Sequence, residues 1–128
     1  MRKIWVIDDD SIFCDIFRMM VDQLGLEADI STYHDGAVFL QSLTHAAPKE
    51  YPNAILLDIT MPGQDGWETL DALRDFHQAK NSKATYQIYM VTSSVSESDQ
   101  RKAEKYPELK GYAIKPLTPE FVKEVVAS

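Results

Sequence analysis

The sequence predicts an α/β fold in which helices cover both faces of a parallel sheet. Two observations carry that prediction. Three short runs are apolar without alternation: IWVI (4–7), AILL (54–57) and IYMV (88–91). Strands buried on both faces read this way, as in the middle of a parallel sheet. Segments with apolar residues at helical spacing lie between them, joined by short connections. Strand and helix patterns in alternation point to βαβ units.

The elements follow in order. IWVI is the first strand and runs into Asp8-Asp9-Asp10. Asp10-Ser11 caps a first helix whose stripe is Ile12, Phe13, Ile16, Phe17, Met20 and Leu24, ended by Gly25. EADISTY (27–33) alternates and reads as an edge strand. Asp35-Gly36 opens a second helix carrying Val38, Phe39 and Leu43, stopped before Pro48. AILL, the third strand, runs into Asp58. Asp65 with Glu68 three residues on forms a capping box, followed by the stripe Trp67, Leu70, Leu73 and Phe76. IYMV, the fourth strand, leads into Thr92, and Ser96 opens a fourth helix that ends near Pro107. GYAI (111–114) is a short second edge strand. Thr118-Pro119 caps the last helix, with Phe121, Val122, Val125 and Val126 on its buried side.

Right-handed crossovers leave few arrangements for this order. Central strands 1, 3 and 4 with edges 2 and 5 fit a five-stranded sheet of order 2-1-3-4-5. That is the (βα)5 three-layer sandwich of the flavodoxin-like class, and the order is taken by analogy with that class.

The totals narrow the function. A chain of 128 residues suits one domain, here taken as residues 1–128. Its apolar content is 45%, its charged content 26% and its net charge −7. That balance argues against nucleic-acid binding, which needs clustered Lys and Arg. No apolar run is long enough for a signal peptide or a membrane span. The single cysteine, Cys14, falls in an apolar helical pattern and is expected in the core. A reducing, cytoplasmic compartment is the simple reading.

Ligands of such sheets bind beyond the carboxyl ends of the strands. Asp8, Asp9, Asp10, Asp58, Thr92, Ser93, Ser94, Lys115 and Pro116 all fall there. Asp8, Asp9 and Asp58 together place like charges close, at a cost of about several kcal/mol unless a cation or proton joins them. Oxygen donors without His or Cys suit a hard ion, Mg²⁺ above all. A metal, a lysine and a hydroxyl around one carboxylate are what phosphoryl transfer to that carboxylate requires.

The segments WVIDDDS, ILLDITMPGQDGWE, YMVTS and YAIKP resemble the marker segments of the response-regulator receiver domain of two-component signalling. The resemblance spans nearly the whole chain and is chemotaxis-receiver-like. It implies that Asp58 accepts a phosphoryl group from a phosphohistidine on a sensor histidine kinase or phosphotransfer protein. Asp9 is then a direct Mg²⁺ ligand, Asp8 acts mainly through water, and the Thr60 backbone carbonyl is a third protein ligand. Lys115 pairs with the phosphoryl group, across a Lys115-Pro116 peptide bond that is usually cis in the family. Thr92 is the switch hydroxyl and Tyr112 the switch aromatic. The chain is then a signalling phosphoacceptor rather than an enzyme, with an unidentified protein target. No output domain is expected within these 128 residues, which suits a single-domain regulator or a receiver cut from a longer protein equally. Thr60 and Ser94 flank the path of attacking water in the family. Neither is a carboxylate or amide, which implies slow dephosphorylation.

Two other readings compete. Asp8-Asp9-Asp10-Ser11-Ile12 is close to the D-x-D-x-[TV] motif of haloacid-dehalogenase-type phosphohydrolases, with Asp8 as nucleophile. That reading leaves Asp58 idle, and only the isolated Glu120 and Glu124 follow Lys115 where an acidic pair is needed. A receiver-like module that is never phosphorylated is the other. Elsewhere, Trp5 is expected in the core, Trp67 partly exposed near the site, and His34, His45 and His77 on the surface. The fourth helix, SESDQRKAEKY, has little apolar surface, so it is expected to be held weakly. With the fifth strand and last helix it is the expected output face.

Overall fold

The computed structural model describes residues 1–128. Its elements are β1 (Arg2–Ile7), α1 (Ser11–Gln23), β2 (Ala28–Tyr33), α2 (Gly36–His45), β3 (Ala54–Asp58), α3 (Gly66–Ala79), β4 (Gln87–Thr92), α4 (Glu97–Ala103), β5 (Leu109–Ile114) and α5 (Pro119–Ala127). A single 3-10 turn, Pro48–Glu50, leads into β3. The five strands form one parallel sheet of order β2-β1-β3-β4-β5, as the sequence predicts. No helix is long and apolar enough to cross a membrane.

Period-two alternation divides the central strands between two cores. Ile4, Val6, Ala54, Leu56, Tyr89 and Val91 face α1 and α5. Trp5, Ile7, Ile55, Leu57, Ile88 and Met90 face α2 and α3. Both sides of β3 are therefore covered, and its register with β1 and β4 holds Asp58 opposite Val91. Side-chain oxygens at Asp10, Asp35, Asp65, Ser96 and Thr118 cap the five helices, at the positions the sequence marks.

Five residues depart from expectation. Ile12 and Ile16 on α1 and Val38 on α2 are exposed, at 68%, 48% and 50%. Each lies just outside the arc that meets the sheet. Trp67 is buried, because the residues after α4 bring Tyr106 across its ring at 5.3 Å. His77 is buried at 8% exposure, with Tyr86 and Ser82 satisfying its two ring nitrogens. His34 is exposed, as expected, but it is engaged by Asp8. Trp5 and Cys14 are buried as expected, and α4 has no buried residue.

Candidate functional site

The carboxyl edge of the sheet gathers its polar groups from four strands. Asp8 and Asp9 follow β1, Asp58 ends β3, Thr92 ends β4 and Lys115 follows β5. One oxygen from each of Asp8, Asp9 and Asp58 lies within 4.8 Å of the other two. Parallel strands all end on the same side, which is why residues so distant in the chain meet here.

Asp8 is 1% exposed, and each of its polar atoms has a partner. Its N–H donates to the Tyr33 carbonyl at 2.9 Å. Its carbonyl accepts from His34 Nδ1 at 3.1 Å and from the Cys14 thiol at 3.9 Å. A carbonyl only accepts, so His34 carries its proton on Nδ1 in this contact. Asp8 Oδ1 accepts the Asp10 N–H at 2.9 Å, and Oδ2 accepts from Lys115 Nζ at 2.7 Å. The same Nζ lies 4.2 Å above the Phe13 ring.

Asp58 is also buried but is poorly compensated. It is 6% exposed, and Lys115 Nζ stands 4.0 Å from its Oδ1. Burial pushes its pKa up from 3.8 to about 7. The charges of Asp8 and Asp9 push the same way, while Lys115 and the Thr60 backbone hold it down. The helix beside it leaves little room, since a Cβ on Gly66 would strike the Asp58 carbonyl. The Gly66 N–H donates to the Ile59 carbonyl at 2.8 Å, so α3 starts directly on the Asp58 peptide.

The remaining predicted residues are distributed around this pair. Thr92 is 1% exposed, and its Oγ1 accepts the Ser94 N–H at 3.0 Å. Ser94 Oγ donates in turn to Asp99 on α4 at 3.0 Å, so the edge is tied to that helix. Sequence reasoning missed this tie and the His34 contact, because both depend on how loops fold back. Tyr112 is half-buried on β5, and its hydroxyl is buried without a partner. Burial and the Asp99 charge raise its pKa. Thr60 is exposed in the loop after β3, and the Lys115-Pro116 peptide bond is cis.

The donor set fits a hard divalent cation. Three carboxylates converge, only oxygen donors are offered, and the Asp8 oxygens are already occupied. That leaves the carboxylate oxygens of Asp9, exposed at the rim, and of Asp58 as the least occupied of the set. The engagement of Asp8 also disfavours it as a nucleophile, which removes the main support for the phosphohydrolase reading.

Comparison with known proteins agrees with this geometry. The model of the response regulator receiver domain matches residues 4–127. Hybrid signal transduction histidine kinase L of Dictyostelium discoideum is 29% identical over 97% of this chain, which spans 7% of that protein. Transcriptional regulatory protein CpxR of Escherichia coli is 30% identical over 77% of this chain, which spans 37% of that protein. Among solved structures, a two component response regulator from Cytophaga hutchinsonii matches with a TM-score of 0.85 at 26% identity, covering 99% of this chain and 95% of that one. Chemotaxis protein CheY4 of Vibrio cholerae matches with a TM-score of 0.70 at 25% identity, covering 99% and 97%. The order of the sheet, the carboxylates at its edge and the near full-length match agree: this chain belongs to the response regulator receiver domain family of two-component signalling.

Proposed function

We propose that residues 1–128 act as one phosphorylatable receiver domain in which Asp58 accepts a phosphoryl group from a phosphohistidine. The donor is a sensor histidine kinase or a phosphotransfer protein. An Asp58 oxygen attacks phosphorus, the O–P bond forms, the P–N bond breaks, and the imidazole leaves. The observation that carries this reading is the contrast between two neighbouring carboxylates. Asp8 has every oxygen occupied, while Asp58 is buried beside it with an elevated pKa and a lysine 4.0 Å away.

Asp9, Asp58 and the Thr60 carbonyl would hold Mg²⁺, with Asp8 contributing through water. The ion, when bound, neutralises charge on the acceptor and on the phosphoryl oxygens. Lys115 is placed to exchange its contact with Asp8 for one with the phosphoryl group. Thr92 turns its hydroxyl to another phosphoryl oxygen and gives up the Ser94 N–H. That loosens the Ser94 tie to Asp99, and α4 has no buried residue to hold it. Tyr112 breaks no hydrogen bond when its ring moves, since its hydroxyl has none. The α4–β5–α5 face therefore reports the event to a downstream protein. Exposed Ile12, Ile16 and Met19 lie on the helix beside Lys115, an apolar surface on which a donor helix can dock. Neither Thr60 nor Ser94 carries a carboxylate or amide to position an attacking water, which supports slow loss of the phosphoryl group.

The test is labelling with a small-molecule phosphodonor and Mg²⁺, or with a phosphorylated kinase. The wild type should acquire a base-labile label and Asp58→Asn should not. Labelling that survives Asp58→Asn but is lost in Asp8→Ala would establish the hydrolase chemistry instead. No labelling of the wild type by either donor would leave a receiver-like binding module. A label that turns over within seconds would refute slow dephosphorylation.

A further inference from the structure

The seam between α3 and α4 carries charge that phosphoryl transfer does not use. Arg74, Ser98, Arg101, Lys102, Lys105 and Tyr106 line an open concavity of about 520 Å³ there. Four cations thus gather on one seam of a chain whose net charge is −7. Only Arg74 is well neutralised, by two bonds to Glu108 at 2.9 and 2.8 Å. Arg101 stands 3.8 Å from Glu97, with both side chains mostly in water, where such pairs hold little energy. Lys102 and Lys105 have no carboxylate within 4.0 Å.

Tyr106, which lines the concavity, is packed and hydrogen-bonded beneath it. Trp67 stacks on Tyr106, and the Tyr106 hydroxyl donates to Asp71 at 2.9 Å. Lys102 Nζ sits 5.2 Å over the Trp67 ring, and the Arg74 guanidinium 5.0 Å over Tyr106. Cation–π contacts hold these charges toward the seam, so less ordering remains to be done on binding. Ser98, Arg101, Lys102 and Lys105 fall at i, i+3, i+4 and i+7, along one face of α4 and the turn after it. Arg101 and Lys105 are separated along the axis by roughly 6–8 Å, at 1.5 Å per residue in the α-helix and about 2 Å in the tighter turn that follows it. Side chains on the same side of an extended chain repeat at about 6.6–7 Å.

We infer that this seam is a docking surface for a short acidic segment of a partner protein. The segment lies extended along α4, with carboxylates two residues apart meeting Arg101 and Lys105 and with Lys102 between them. Nucleic acid fits less well. A long polyanion would meet the negative remainder of the surface as well as the seam. The surface is distinct from the α4–β5–α5 face, which uses Gln100, Ala103 and Glu104 on the other side of α4. The inference does not depend on phosphorylation of Asp58.

The experiment is a titration of the unphosphorylated protein with a fluorescently labelled Glu/Asp-alternating peptide, at low and at physiological salt. Amide chemical shifts of the ¹⁵N-labelled protein map the site. Saturable binding is expected, weakened by salt, with shifts confined to residues of the seam. Lys102→Gln/Lys105→Gln should weaken it by about threefold or more, the loss of two charge contacts at the surface. Lys110→Gln/Lys123→Gln, which removes two cations elsewhere, should change it by less than about twofold. α4 buries no side chain, so the variants keep the fold, and circular dichroism checks this. Absence of saturable binding, equal weakening by both double variants, or shifts mapping elsewhere would overturn the inference. A single-stranded oligonucleotide that binds as tightly as the peptide would overturn the choice of partner.

Discussion

Two polar clusters are buried at opposite ends of α3, and they are built on opposite terms. At the start of the helix, Asp58 is held against the Gly66 backbone with like charges beside it and a pKa near 7. At its end, His77 is equally buried, yet its Nε2 meets the Tyr86 hydroxyl at 2.6 Å and its Nδ1 the Ser82 hydroxyl at 2.9 Å. The rings of Tyr51, Phe76 and Tyr86 surround it. Burial lowers its pKa, so the neutral ring is favoured. A satisfied neutral group at that end ties α3 to the segments preceding β3 and β4. The poorly compensated carboxylate at the other end holds free energy that a cation can release. A buried polar group left short of partners, as Asp58 is, points to a functional site more strongly than one as fully paired as His77.

The largest effect that tests this contrast is chemical. Asp58→Asn should reduce phosphodonor labelling to background, while His77→Gln should leave it unchanged when both are measured by radiolabel or intact mass.

Stability should move in the opposite sense. In metal-free buffer, the folded state retains a proton on Asp58 between pH 3.8 and about 7 that the unfolded chain has released. Stability is therefore lost as pH rises through that window. Asp58→Asn removes the cost, so it should be the more stable protein at pH 8 by roughly 2–4 kcal/mol. The gain should vanish near pH 4, as read by urea titration. Added Mg²⁺ should narrow the gap by stabilising the wild type alone. A mutant less stable than wild type at pH 8 would break the contrast.

His77→Ala should cost about 2–3 kcal/mol, because it opens a cavity and strands the Tyr86 hydroxyl. His77 also reverses the sign with pH. Its folded pKa is lowered, so its contribution is present above the unfolded pKa and lost as pH falls below it. His77→Gln should flatten that acid-side loss in thermal melts between pH 7 and 5. Tyr86→Phe is the mildest probe. It leaves the ring packing and removes one hydrogen bond, for a loss of about 1 kcal/mol in the same urea titration.

Much of this molecule was legible as a string of residues. Apolar runs without alternation marked β1, β3 and β4, and short polar residues marked the five helix caps, because both are local properties. The carboxylates and Lys115 were legible for a related reason. A parallel sheet brings every strand's end to the same edge, so knowing the strands was enough to collect Asp8, Asp9, Asp58, Thr92 and Lys115. Helix faces were less legible. Ile12 and Ile16 fit the period of α1 as well as Phe13 and Phe17 do, and only the sheet's position decides which residues it covers.

The sequence by itself determined the order of elements, the covered strands and the residue types at the sheet's edge. Spacing, hydropathy and capping chemistry act over a few residues and need no partner from afar. Tertiary structure alone decided how those edge residues share their charge. It placed Lys115 2.7 Å from Asp8 and 4.0 Å from Asp58, although 107 residues separate Lys115 from Asp8. It also buried His77 and Trp67, because Ser82, Tyr86 and Tyr106 return to them. Such contacts depend on where loops close, and an electrostatic imbalance exists only once the charges have met.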